Sequence, residues 1–437
     1  MTKRFPVPRR ALVTIFSCAC LLFTAVPSAR GQESSAGFSK EKLERIPAAL
    51  KEAVEKKQIA GASALIARHG KVVQLSTVGM QDVESKVPMS EATIFRIASM
   101  SKPIVSVAAM TLVDDGKLSV TDPLSKFVPE FKDMKVLVPS EDKKSYELVN
   151  AEREITIHDL LTHSSGITYR LLNKPFAAKL YADAGVSDGI SETPGTIGDN
   201  VKKLARMPLV CQPGSAWEYG LNTDVLGYVI EVASGKTLDE YLRERVLKPL
   251  RMNDTHFVLP KEKRSRLAAV YTIGPDKAIA RIDKPIVQDV TVVSVTYPTN
   301  DECKYYSGGA GLVSTLGDYF RFSQMMLNGG ELDGARVLKR ETVQKMTKNQ
   351  LGKLRIMFPG NDLMGYGFGI LSEQGKETSK ELAGVGTYAW GGAFGTSFWV
   401  DPKNEVVGVF MAQSFPPNFA LPNEFKKLTY EALTQSK

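Results

Sequence analysis

Long apolar runs are scarce in this chain of 437 residues. The longest, Ala11 to Val26, has 16 residues, short of the roughly 20 that a membrane-spanning helix needs. It follows Lys3, Arg4, Arg9 and Arg10 and precedes Pro27-Ser28-Ala29-Arg30-Gly31. That basic, apolar, small-residue order predicts a cleaved export signal over residues 1–31, with no stable membrane span afterwards and a periplasmic or secreted mature protein. Cysteine is equally sparse. Of four, Cys18 and Cys20 lie inside the apolar run, which excludes a lipid-anchor cysteine placed after it and a multi-disulfide scaffold. Cys211 and Cys303 remain, and one disulfide between them stays open in an exported chain.

Histidine numbers only four. His158 and His163 stand five apart with no third histidine nearby, and no His-Glu-x-x-His occurs, so neither a metal nor another cofactor is expected. Neither histidine stands in a recognisable Ser-His-Asp signature, so both are read as structural. The formal charge of +8 is mostly leader: residues 1–31 hold five basic residues and no acid, leaving +3. With no Lys/Arg stripe interleaved with aromatics, nucleic-acid binding is not expected.

What the chain does have is Ser99-Met100-Ser101-Lys102 at the mouth of an apolar run ending in Asp114-Asp115-Gly116. Pro103 in the first turn and the glycine stop predict a helix. Positions i and i+3 share a helix face, so the Lys102 amine reaches the Ser99 hydroxyl: a nucleophile with a base, at a helix end that supplies N–H groups and disfavours a charged amine. Taken alone, the same tetrapeptide fits a helix cap with an exposed lysine.

Around it, Lys40 to Lys57 predicts an amphipathic helix, and Gly61 to Leu75 two strands about a His69-Gly70 turn. Tyr366–Leu371, Thr396–Val400 and Val406–Met411 predict strands, followed by a terminal helix from about Asn423. The middle, 96–300, is richer in helical patterns. Ser140 to Glu154 and Lys261 to Arg266 read as solvated loops.

Four ordered motifs carry a resemblance. They are Ser99-Met100-Ser101-Lys102; Thr156-Ile157-His158-Asp159-Leu160-Leu161-Thr162-His163-Ser164-Ser165-Gly166-Ile167; Trp217-Glu218-Tyr219-Gly220-Leu221-Asn222-Thr223-Asp224-Val225-Leu226-Gly227; and Trp390-Gly391-Gly392, with Gly308 to Thr315 and Asp318-Tyr319 between the last two. From about residue 40 onwards the chain resembles the serine β-lactamase and penicillin-recognising superfamily, and within it the family VIII carboxylesterases, which are related to class C β-lactamases. The resemblance implies an α/β (α+β) fold with an antiparallel sheet flanked by helices, built from 40–95 plus 301–437. A mainly helical domain, 96–300, would complete it, with the active site between the two.

It also implies roles. Ser99 is the nucleophile, Lys102 the base, and Tyr219 a partner base or shuttle that protonates the leaving oxygen. The oxyanion hole would use the Ser99 and Ala393 N–H groups, and Trp390, Gly391, Gly392 and Asn222 would bind substrate. Two departures bear on that substrate. The family's Tyr-x-Asn has Leu221 in third place here and Asn222 one later, a turn of about 100° on a helix. Trp390 stands where many members carry a cation that would hold a β-lactam carboxylate. Both favour neutral esters. Three readings follow: a secreted esterase working through an acyl-enzyme, a β-lactamase or D-amino-acid peptidase of the same chemistry, and a penicillin-binding protein with little or no turnover.

Overall fold

The computed structural model describes residues 36–434, apart from 173, 191, 193, 275–277, 289–290 and 357–359. The expected leader, 1–31, therefore lies outside the described residues. Eight strands make the main sheet: β1 Gly61–Arg68, β2 Lys71–Asp82, β3 Val87–Pro88, β4 Leu363–Met364, β5 Gly369–Ile370, β6 Tyr388–Gly392, β7 Thr396–Asp401 and β8 Val406–Ala412. Their order across the sheet is β4-β5-β6-β7-β8-β1-β2-β3, antiparallel at each step. Strands from both ends of the chain thus meet at β8 and β1, where Leu65 stands opposite Val409.

β1 is buried along its whole length, because both faces of the sheet are covered. Alternate side chains point to opposite faces. Ala62, Ala64 and Ile66 pack on Ile46, Leu50, Phe425 and Leu428, from α1 Arg45–Glu55 and the C-terminal helix Ala420–Ala432. Leu65 and Ala67 face the larger core with Tyr319, Phe322 and Met326. The β1–β2 hairpin turns at His69 (φ +51°) and Gly70 (φ +74°), the two left-handed positions of a tight hairpin turn. The single helix expected over 40–57 is broken: Lys40–Leu43 and α1 are separate. Pro47 is the physical reason, since it has no N–H for the Leu43 carbonyl.

Three helices bring the site together: α2 Ser101–Asp114, α3 Ile157–Thr162 and α4 Asn222–Ser234. Residues 101–112 of α2 are all buried, as expected of a helix apolar all round that runs through the core. It ends at Asp115, followed by Gly116 at φ +71°. α3 is short and pinned by a Thr156/Asp159 capping box, with Arg153 gripping the Asp159 carboxylate at 2.6 and 2.9 Å.

Two stretches expected as loops are ordered differently. Tyr146–Asn150 pairs with Lys135–Pro139 as a ribbon that buries Val136 and Leu137 and leaves Leu148 outside. Lys261–Arg266 forms a short 3-10 helix tied down by Lys263 and Arg266 to Asp254. Among the described residues, no helix is long and apolar enough to cross a membrane.

Candidate active site

The short strand Ile94–Arg96 pairs with Val313–Thr315 and delivers the chain into a one-turn 3-10 helix, Ala98–Met100, directly ahead of α2. Ala98 is held at φ +41°, a left-handed conformation that a residue with a Cβ adopts only under constraint. The constraint comes from packing. Ile97 N–H donates to the Leu312 carbonyl at 3.1 Å, and the Ile97 carbonyl lies so close to β6 that a Cβ on Gly392 would collide with it. Gly392, expected to bind substrate, is buried and instead admits the nucleophile turn against the sheet.

Ser99 stays partly exposed at the end of this turn, while Lys102 is only 1% exposed. Lys102 Nζ lies 3.1 Å from Ser99 Oγ and donates to the Gly309 carbonyl at 2.8 Å. From the other side, Tyr219 Oη donates to Ser99 Oγ at 2.8 Å. One hydroxyl therefore has an amine and a phenol on it, the arrangement needed to remove its proton and carry that proton onwards.

Aromatic rings fix the phenol. Trp217 stacks on Tyr219 with ring centroids 5.9 Å apart, Tyr169 meets it edge-on at 5.4 Å, and His163 lies at 4.9 Å. Trp390 lies parallel to His163 at 6.2 Å and 5.9 Å from Tyr219. At 2% exposure, Trp390, expected to bind substrate, packs as an inner wall behind the tyrosine. His163 ends α3 in a left-handed conformation, φ +57°. Its complete burial, with Lys102 adding a smaller effect, holds the imidazole well below its usual range, so the ring is neutral. His158, which bonds Tyr366 Oη at 3.0 Å, is likewise kept low by burial.

Asn222 also differs from expectation. It is wholly buried at the first turn of α4, its amide nitrogen 3.0 Å from His163 Nδ1 and its oxygen taken by Ser165 Oγ. Every hydrogen bond the side chain makes is internal, so it ties α3 to α4 and does not face a ligand. Gly391 is half-buried beside the exposed Phe419 ring, and a Cβ there would make only ordinary contacts at 3.5–3.6 Å. Ala393 is half-buried in the turn after β6, where Gly395 N–H closes onto the Gly392 carbonyl at 3.0 Å.

Tyr169, Gly309 and Asp224 were not assigned roles from the sequence. Asp224 lies inside the tyrosine motif, Gly309 inside the glycine-rich stretch, and Tyr169 two residues past the Thr156–Ile167 segment. Gly308 and Gly309 let that stretch lie against α4, since Cβ atoms there would strike the Thr223 carbonyl and Asp224 Oδ2. Cys211 and Cys303 are free, half-buried thiols and not a disulfide, and burial pushes both up.

The family model described as Beta-lactamase matches residues 46–430. The chain belongs to the Beta-lactamase family. Esterase EstB of Burkholderia gladioli is 33% identical over 82% of this chain and 86% of its own. Lovastatin esterase of Penicillium rubens is 29% identical over 76% and 82%. Among solved structures, EstCE1, a hydrolase with promiscuous acyltransferase activity, superposes with a TM-score of 0.76 at 26% identity over 89% of this chain and 99% of that one. The fold is the family's, an antiparallel sheet with helices. The protein is a serine hydrolase related to carboxylesterases and β-lactamases.

Proposed function

We propose that this hydrolase is exported by its first 31 residues and cleaves small neutral carboxylic esters through an acyl-enzyme on Ser99. The observation that carries the reading is the convergence of Lys102 Nζ and Tyr219 Oη on one Ser99 hydroxyl. Ser99 Oγ attacks the ester carbonyl carbon as its proton passes to Lys102, and the carbonyl oxygen becomes an oxyanion between the Ser99 and Ala393 N–H groups. On collapse the C–O bond to the alcohol breaks, and Tyr219 gives the departing oxygen its proton and is reprotonated from Lys102. Water, losing its proton to the same pair, then attacks the acyl carbon and frees the acid and Ser99.

The preference for neutral esters rests on the indole at 390 and on charges already spent. Arg170 is bound to Asp188 at 3.2 Å and Lys174 to Glu218 at 3.3 Å, so the basic side chains flanking the tyrosine segment have partners. The kinship with EstCE1 supports a second reading for the last step, in which an alcohol replaces water and takes the acyl group.

Rates on a short-chain aryl ester and on a chromogenic cephalosporin, with Ser99→Ala as control, test the proposal. Ester turnover that depends on Ser99 is expected. A product burst equal to the enzyme concentration with no turnover after it would replace this reading with a slow penicillin-binding protein.

A further inference from the structure

Directly behind Lys102 lies a carboxylate that the reaction above does not use. Asp224 is in the first turn of α4 and 1% exposed. Its Oδ1 accepts from Tyr305 Oη at 2.9 Å, and Tyr305 is held in turn by Asn200 at 3.0 Å. Oδ2 is buried without a hydrogen bond of good geometry; Ser307 and the Gly309 N–H ease its charge only in part. It approaches Gly309 so closely that any side chain there would strike it, and the Gly309 carbonyl is the acceptor for Lys102. Lys102 on α2 is a cation whose charge acts on it. Besides the Tyr305 phenol, the Tyr169 phenol lies nearby, both raised chiefly by burial, with the Asp188–Arg170 pair beyond.

The geometry assigns Asp224 as a positioning residue for the proposed Ser99 chemistry: the buried counter-charge, across Gly309, for the proton that Lys102 receives from Ser99. The inference rests on the reading of Lys102 given above. When that proton arrives, Lys102 becomes an ammonium in a site that excludes water, where an unpaired charge is costly. Ionised Asp224 makes the pair neutral, and protonated Asp224 leaves the ammonium alone. Burial pushes the Asp224 carboxyl up to about 6, so its ionised form is lost just below neutral pH.

The test is kcat/KM for p-nitrophenyl butyrate against pH for the full-length enzyme, Asp224→Asn and Tyr305→Phe, with circular dichroism to check folding. Wild type should show an acid limb near the Asp224 value, and Asp224→Asn should lose that limb and fall about 10- to 100-fold at neutral pH in kcat with little change in KM. Tyr305→Phe removes a donor from the carboxylate and should move the limb upward by about half a unit or more, a result available even where the asparagine variant does not fold. An asparagine variant that keeps the wild-type limb, or a Tyr305→Phe limb that does not move, overturns the assignment. Ser99→Ala that still turned over the ester would instead overturn the reading beneath it.

Discussion

Lys102 Nζ lies 4.7 Å from the centroid of the Tyr219 ring while the hydroxyl of that tyrosine donates to Ser99. The amine thus touches the face of the phenol and the phenol touches the nucleophile, so the three groups are one mechanical unit. Displacing any member shifts the others, which is why substitutions here should act on turnover well before they act on folding.

Ser99→Ala should abolish covalent labelling by a serine-directed phosphonate and lower esterase turnover by roughly three orders of magnitude or more with the thermal midpoint unchanged, as Ser99 is partly exposed and small. Mass spectrometry of the phosphonate adduct reads this directly. Equal labelling of the variant would remove Ser99 from the mechanism.

Lys102→Met and Tyr219→Phe should each cut kcat by about 10²- to 10⁴-fold, the usual scale for losing a positioned acid or base. The lysine variant should also lose some stability, because the buried Gly309 carbonyl loses its donor. A variant holding the wild-type rate at neutral pH would mean that another group moves the proton.

Selectivity follows from Trp390. Small neutral esters should exceed cephalosporins in kcat/KM by more than about 10-fold, since an indole stands at position 390 in place of a cation that would hold the carboxylate. Because the indole is packed against His163 and Tyr219, Trp390→Lys would bury a charge in an aromatic cluster and should depress both activities. Comparable wild-type efficiency on the two substrates would shift the assignment towards a β-lactamase.

The two glycines of the third motif should separate cleanly. Gly392→Ala drives a methyl into the Ile97 carbonyl at the base of the nucleophile turn, which should cost about 1–3 kcal/mol and much of the activity. Gly391→Ala meets only contacts of 3.5–3.6 Å and should stay within about 0.5 kcal/mol. Thermal melts and ester rates on both variants decide it, and equal tolerance would show that the turn can withdraw from β6.

Acid sensitivity should track His256. Burial, aided by nearby Lys263, lowers its imidazole from 6.5 to about 4, so the unfolded chain binds this proton first as pH falls. Stability is therefore lost between those two values, by roughly 2–3 kcal/mol from this group. Asp318, raised by burial to about 6, works the other way and gains stability as it protonates. His256→Gln should lose less of its melting temperature than wild type between about pH 7.5 and pH 5; equal losses would assign the sensitivity elsewhere.

The sequence by itself determined what is local or ordered along the chain. The i, i+3 spacing of Ser99 and Lys102 puts both on one face at the head of α2 because helix geometry leaves little choice, and His69-Gly70 specifies a tight hairpin because both positions require positive φ. The order of the motifs was enough to name the family. Tertiary structure decided which side of each motif faces inward. Asn222 and Gly392 carry the right chemistry for a ligand, but α3 packs against the first and the Ile97 carbonyl against the second. Trp390 and His163, more than two hundred residues apart, became the clamp on Tyr219 only when β6 met the end of α3. Asp224 stood in a motif that was read only for its tyrosine and asparagine. Its proximity to Lys102 depends on a glycine pair from a distant loop, and no periodicity encodes a contact made by long-range packing.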